Sequence, residues 1–316
     1  MKPLTLLCAA ALFCSLLLAS CNTPAVENVA TATPAGTTFT YEAFDSAFLA
    51  PRNITVWTPP GYDQASDSLA VLYMHDGQNL FDNDTAGFGV EWGVDEHVID
   101  LVASGDIQNV MVVGIWNTSA RFREYVPAKV FANLPDNVQN AVFESHGGGP
   151  LSDEYLRFIV EELKPFIDET YRTLPDREHT TIMGSSMGGL ISLYALTEYP
   201  DVFSAAGCIS THWPLTIEPE MLQAQELYLD PISDAFVTYL EANMPSPDHH
   251  KLYFDYGTVH LDALYEPYQI KIDAALQAAG FERRVNWVSD KYQDAAHNEN
   301  FWRERLASPL KFIQAK

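Results

Sequence analysis

The residues best able to do chemistry stand in one short run, Gly184-Ser185-Ser186-Met187-Gly188, which fits the pattern G-x-S-x-G. A serine at the tip of a sharp strand-to-helix turn has a strained backbone. Side chains two positions to either side would collide there, so glycine is needed at both. Such a turn exposes Ser186 Oγ, aims the N-terminus of the next helix at it, and leaves the Met187 amide free to donate to a developing oxyanion. The chemistry this allows is attack on an acyl carbon. The bland alternative is a glycine-rich turn. Context argues against it, because Thr180-Thr181-Ile182-Met183 reads as a strand and Met187 to Tyr199 as a helix.

A serine hydroxyl is a weak nucleophile without a base, and in this arrangement an acid and then a histidine follow along the chain. His297 lies in Asp294-Ala295-Ala296-His297-Asn298, after an expected final strand at Val285-Asn286-Trp287-Val288 and before a helix starting near Phe301. That is where such a base belongs. His97 falls in a helix, His179 at a strand entrance, and His249-His250 in a polar loop. Adjacent histidines invite zinc, but no carboxylate-and-His spacing supports it, so no metal is expected.

Asp255 and Asp262 compete for the acid. Leu252 to Tyr256 is continuous strand pattern, which leaves Asp255 in the ladder or just leaving it. Asp262, five residues past the break at Gly257, lies in the loop from which a triad acid reaches its imidazole, and it is the expected acid. Glu266-Pro267 reads as a helix start. The second oxyanion donor is expected from His75-Asp76-Gly77-Gln78-Asn79, at the Gln78 amide, against an ordinary Asp-Gly turn. His212-Trp213 and the pair Arg121 and Arg123 open onto the same face, as substrate contacts or as lid packing.

The elements that must position these groups alternate. Short apolar runs at 71–74, 110–113, 180–183 and 252–254 look like buried, mainly parallel strands, and helical spacing runs through 152–171, 187–199 and 265–279. Strands alternating with helices imply an α/β, doubly wound sheet. Two stretches break the rhythm, 128–150 and 214–250, and read as insertions over the site. From Phe39 to Lys316 there is no composition break or internal repeat, so one domain is expected there.

The N-terminus reads differently. Lys2, an apolar run from Leu4 to Leu18, and Leu18-Ala19-Ser20-Cys21 match a secretory signal over residues 1–20, and the last four residues resemble a bacterial lipobox with Cys21 as the lipidated residue. Residues 21–38, rich in Ala, Thr, Pro and Val, read as a tether. The protein would then be secreted across the inner membrane and face the periplasm or the exterior. With 18 Lys and Arg against 42 Asp and Glu the net charge is −24, which repels phosphate backbones and anionic lipid. Nucleic acid is not expected as a partner, and acyl chains rather than basic residues must hold the protein to a membrane.

With these motifs in view, Pro59-Pro60-Gly61-Tyr62, the 75–79 loop, Arg123-Glu124-Tyr125, Leu163-Lys164-Pro165-Phe166-Ile167, the 184–189 elbow and His297-Asn298-Glu299 with Trp302 together resemble the putative-esterase (esterase D-like) family. That family includes feruloyl and acetyl-xylan esterases, siderophore esterases, S-formylglutathione hydrolases and mycolyltransferases. The resemblance implies an α/β-hydrolase fold, a Ser-acid-His triad, no metal or organic cofactor, and a small ester as substrate. Carried over by position, Ser186 and His297 match the triad, Asp262 the acid, and Met187 and Gln78 the oxyanion donors. An acyltransferase would use the same residues. A non-catalytic binding lipoprotein has little reason to retain them all, and the 184–189 run lacks the glycine spacing and lysine of a nucleotide site.

Overall fold

The structure is a computed structural model and describes residues 28–33 and 35–315. The expected signal segment and Cys21 lie outside those residues. Nine strands form one sheet: β1 (Asn28–Thr33), β2 (Gly36–Phe44), β3 (Arg52–Thr58), β4 (Ala70–His75), β5 (Val110–Ile115), β6 (Thr180–Ser185), β7 (Ala205–Ile209), β8 (Lys251–Gly257) and β9 (Trp287–Tyr292). Their order is β1-β2-β3-β5-β4-β6-β7-β8-β9. The first four in that order pair antiparallel, and from β5 to β9 every pairing is parallel.

The parallel strands are covered on both faces, which is why they read as unbroken apolar runs. Within β4, Val71 and Tyr73 enter one core while Ala70, Leu72 and Met74 enter the other. Met111, Val113 and Ile115 likewise part from Val110 and Val112 in β5, as the two-residue period of a strand requires.

The helices, in chain order, are α1 (Val94–Ala103), α2 (Arg121–Tyr125), α3 (Ala128–Ala132), α4 (Asp136–His146), α5 (Ser152–Arg157), α6 (Lys164–Thr170), α7 (Met187–Glu198), α8 (Pro219–Gln223), α9 (Gln225–Asn243), α10 (Glu266–Ala278), α11 (Glu299–Arg305) and α12 (Ala307–Ile313). A π-helical stretch, Phe158–Leu163, joins α5 to α6 just ahead of Pro165. Proline offers no amide to the ladder and crowds the preceding turn, so wider winding there is its local answer. Every residue of α7 from Met187 to Thr197 is buried, which makes it the central helix of one layer.

Two expectations need correction. Residues 28–33 and 36–38 are not tether but the edge hairpin β1–β2, in register from Asn28 opposite Tyr41 to Thr33 opposite Gly36. Threonine favours the extended chain, and the ladder with β2 pairs the backbone of a segment whose side chains at 30–33 stay exposed. The final strand runs Trp287–Tyr292, because Val285 and Asn286 belong to a turn that donates to the Glu282 carbonyl.

Candidate active site

Strands β4 to β9 run parallel, so their C-terminal ends lie along one edge of the sheet, and each sends its loop there. The loop after β6 is the sharpest. Ser186 has φ 58° and ψ −122°, a conformation that side chains rarely adopt. Its amide donates to the Ile209 carbonyl at 2.8 Å, and its own carbonyl accepts from His212 N at 3.1 Å and Gly189 N at 3.0 Å. The flanking glycines have the expected cause: a Cβ on Gly184 would lie 3.0 Å from Gly188 Cα.

The structure brings Ser186, His297 and Asp262 together. His297 Nε2 is 2.9 Å from Ser186 Oγ, and His297 Nδ1 is 2.5 Å from Asp262 Oδ1. His297 arrives on the loop after β9, with Ala295 O accepting from Thr258 N at 3.0 Å. Asn298 then caps α11, its Oδ1 accepting from Phe301 N at 3.3 Å. The acid comes from the loop after β8, where Gly257 N and Ser210 Oγ donate to Asp262 Oδ2 at 2.7 and 2.6 Å. Gly257 must be glycine, since a Cβ would lie 2.1 Å from the Ala295 carbonyl oxygen. Burial works to raise the Asp262 carboxyl, but the hydrogen bond and charge of His297, with Ser210 and Gly257 N–H, hold it below the ordinary carboxylate range.

Asp255, the competitor, is engaged elsewhere. Arg305 grips it through Nη2 at 2.9 Å and Nε at 3.1 Å, deep in the protein.

The 75–79 loop packs against the elbow: a Cβ on Gly188 would lie 3.4 Å from His75 Cβ and 3.6 Å from Asp76 Oδ2. Asp76 takes the left-handed conformation, φ 57°, and its side chain is fixed by Arg121 through two 2.7 Å contacts and by Asn117 Nδ2 at 2.6 Å. Thr85 Oγ1 donates to the Gln78 carbonyl at 2.7 Å and Asn117 N to Gln78 Oε1 at 3.2 Å. Among the described residues no protein group accepts from the amides of Met187 or Gln78. The elbow and loop can therefore offer two N–H groups to an oxygen near Ser186.

Of the four residues read as substrate contacts or lid packing, His212 and Trp213 face inward, while Arg121 and Arg123 are partly buried and held by protein groups. His212 and Trp213 are sealed, at 0% and 1% exposure, because the loop after β7 turns both side chains inward. Trp213 Nε1 donates to Gln269 Oε1 at 3.1 Å and its ring meets Phe236 edge-on, while His212 contacts Tyr265 and Thr216. Arg123 Nε donates to the Gly149 carbonyl at 2.8 Å and so pins the insertion. Arg121 is half-buried on Asp76. The two insertions meet beside these residues, His146 Nε2 lying 2.7 Å from the Leu215 carbonyl and its ring stacked on Phe122.

Sequence reading missed Ser210, Tyr265 and Arg305. Ser210, φ 41°, follows a strand end at the same edge, which was the available signal. The sealed positions of Tyr265 and Arg305 left none.

A mainly parallel sheet with a strained serine turn at one strand end, and with loops from two neighbouring strands meeting it, defines an α/β-hydrolase. Comparison with known proteins agrees: a solved ferulic acid esterase superposes with a TM-score of 0.59 at 20% identity, over 88% of this chain and 97% of that one. Residues 46–313 match the family described as Putative esterase, and the chain belongs to that family. Among curated relatives it is 29% identical over 167 residues to the uncharacterized protein YbbA of Bacillus subtilis, covering 51% of this chain and 58% of the relative. It is 37% identical over 98 residues to the ferri-bacillibactin esterase BesA of the same organism, covering 30% of this chain and 32% of that protein. The chain thus spans less than two thirds of either relative.

Proposed function

We propose that the protein is a serine-dependent carboxylic ester hydrolase. The observation that carries the reading is the unbroken line Asp262–His297–Ser186, with contacts of 2.5 and 2.9 Å. Ser186 Oγ attacks the ester carbonyl carbon as its proton passes to His297 Nε2. The carbonyl oxygen becomes an oxyanion held by the Met187 and Gln78 amides, and Asp262 stabilises the imidazolium. Collapse breaks the ester C–O bond, and the leaving alcohol takes the proton from His297. Water then repeats the sequence on the acyl-enzyme, giving the acid and free Ser186. This chain's residues supply each step without a cofactor.

The substrate class is an acylated carbohydrate, a siderophore or a similar small ester, supported by the names of the ferulic acid and ferri-bacillibactin esterases. Cys21 is proposed to carry a lipid that anchors the protein to a bacterial membrane, facing the periplasm or the exterior. The run Leu18-Ala19-Ser20-Cys21 supports this. Mass spectrometry of products from acetylated and feruloylated sugars, siderophores and p-nitrophenyl esters tests the assignment. Free acid is expected with the native protein and not with Ser186→Ala. Acyl transfer to an added alcohol in place of free acid would instead favour a transferase.

A further inference from the structure

His212 takes no part in the reaction just described, yet its hydrogen bonds can run in one direction only. Burial, aided by the charge of nearby His297, pushes its pKa down to about 3, so the ring stays neutral. Its Nε2 lies 2.7 Å from the Thr216 carbonyl oxygen, which can only accept, so Nε2 carries the hydrogen. Nδ1 of the neutral ring must then accept, and its partner at 2.7 Å is the Tyr265 hydroxyl. The single hydroxyl hydrogen of Tyr265 is thereby committed. Only lone pairs of Tyr265 Oη remain to face His297 Nδ1, 3.3 Å away.

We infer that His212 and Tyr265 are positioning residues for His297: together they hold a second acceptor against Nδ1–H, which keeps Nε2 bare towards Ser186. The inference rests on the reading of His297 as the base.

A tyrosine hydroxyl beside an imidazole nitrogen is ambiguous by itself. With its hydrogen free it can turn and donate to Nδ1, which selects the tautomer unable to accept the serine proton. His212 removes that choice. An acceptor at Nδ1–H also favours the imidazolium over the neutral ring, because hydrogen bonds from a cation are stronger. The backbone ties the same two residues to the other partners, His212 N donating to Ser186 O at 3.1 Å and Tyr265 N to Asp262 O at 3.0 Å. The titratable and charged groups around His297 are Asp262, Tyr265, His212 and Glu299, while Arg121 and His146 act on His212 from further off. The Trp302 ring meets His297 edge-on at 4.9 Å.

Histidine-resolved NMR on the full chain tests this without requiring turnover, using the native protein, Tyr265→Phe, His212→Phe and His212→Asn. Asparagine can place an amide oxygen about where Nδ1 stood. In the native protein His212 should show its hydrogen on Nε2 and no titration between about pH 5 and 8. The low-field His297 Nδ1–H proton signal should move in Tyr265→Phe and His212→Phe, which lose or redirect the acceptor beside it, and return in His212→Asn. On p-nitrophenyl acetate, kcat should fall roughly tenfold in the first two with KM within about twofold, and a double variant combining Tyr265→Phe with His212→Phe should be no slower than Tyr265→Phe. A His212 that titrates in that range or carries its hydrogen on Nδ1, or a His297 Nδ1–H signal unmoved in Tyr265→Phe, overturns the inference. Tyr265→Phe removes one oxygen and decides the matter even where His212→Phe fails to fold. Absence of ester cleavage by the native protein would sink the hydrolase reading alone, since the NMR signals judge this chain of bonds independently.

Discussion

Asp255 and Asp262 are bridged by Ser210, whose amide donates to Asp255 Oδ1 at 3.1 Å and whose hydroxyl donates to Asp262 Oδ2 at 2.6 Å. Arg305 completes the cluster, its Nη2 reaching both Asp255 and Ser210 Oγ. One carboxylate faces the imidazole, and the other answers a buried guanidinium.

Replacing each should therefore fail differently. Asp262→Asn should lower kcat by up to about 10⁴ while the protein stays folded. Asp255→Asn should cost about 3 kcal/mol in urea unfolding, because it takes from buried Arg305 the carboxylate it is hydrogen-bonded to and leaves only Asp262, 4.0 Å away, and should cost far less activity. The larger loss of kcat at 255, with both variants folded, would move the acid there.

Ser186→Ala should lower kcat by at least about 10³ with unchanged circular dichroism. Ser186→Gly should be equally inactive yet more stable than the alanine variant by about 1 kcal/mol, since glycine accepts φ 58° without strain. A fall of less than about tenfold in the alanine variant would take the nucleophile away from Ser186.

Arg121→Ala tests whether Arg121 touches substrate or steadies the 75–79 loop. Its two bonds to Asp76 predict a fall in kcat of up to about 10², with KM nearly unchanged, because a displaced oxyanion donor harms the transition state more than the bound ester. A rise in KM at constant kcat would restore the substrate-contact role.

Two pH effects should separate. Ester turnover should rise with pH on a limb set by His297, since only neutral imidazole accepts the Ser186 proton. EDTA should have no effect, and inhibition reversed by zinc would revive a metal. Stability should fall at the acid end. Burial raises the Asp76 carboxyl but Arg121 and Asn117 outweigh it, so its folded pKa lies below the ordinary 3.8. The support this gives is present above about pH 4 and is lost as pH falls through the folded value. Acid unfolding monitored by fluorescence should be shallower in Asp76→Asn than in the native protein.

Cys21→Ala should shift the protein from the membrane to the soluble fraction, because a surface of net charge −24 gains nothing from anionic lipid. Retention of the variant in membranes, with no acylated peptide from the native protein, would end the lipoprotein reading.

The groups of the proposed triad were legible in the sequence because steric rules confine them. Ser186 needs glycine on both sides, and Asp262 and His297 must follow strand ends at one edge. The orientation of side chains beyond those ends was not legible. His212 and Trp213 leave β7 at the expected edge, but their inward turn is fixed by Tyr265, Thr216 and Gln269, partners distant or irregular in sequence. The hairpin strand Asn28–Thr33 was hidden for a related reason: its small and polar residues carry no apolar period, and only the facing ladder of β2 makes them a strand.

That hairpin also fixes how far the protein can travel from an anchor. Were Cys21 fastened to lipid, a leash ending at Thr38 could pay out to roughly 60 Å, at about 3.5 Å for each extended residue. With Asn28 already paired to Tyr41, only seven positions along the chain separate Cys21 from the sheet, a span of at most about 25 Å. The active edge would then patrol a thin shell above the bilayer and meet esters that diffuse to the membrane surface, not those held deeper in the surrounding space.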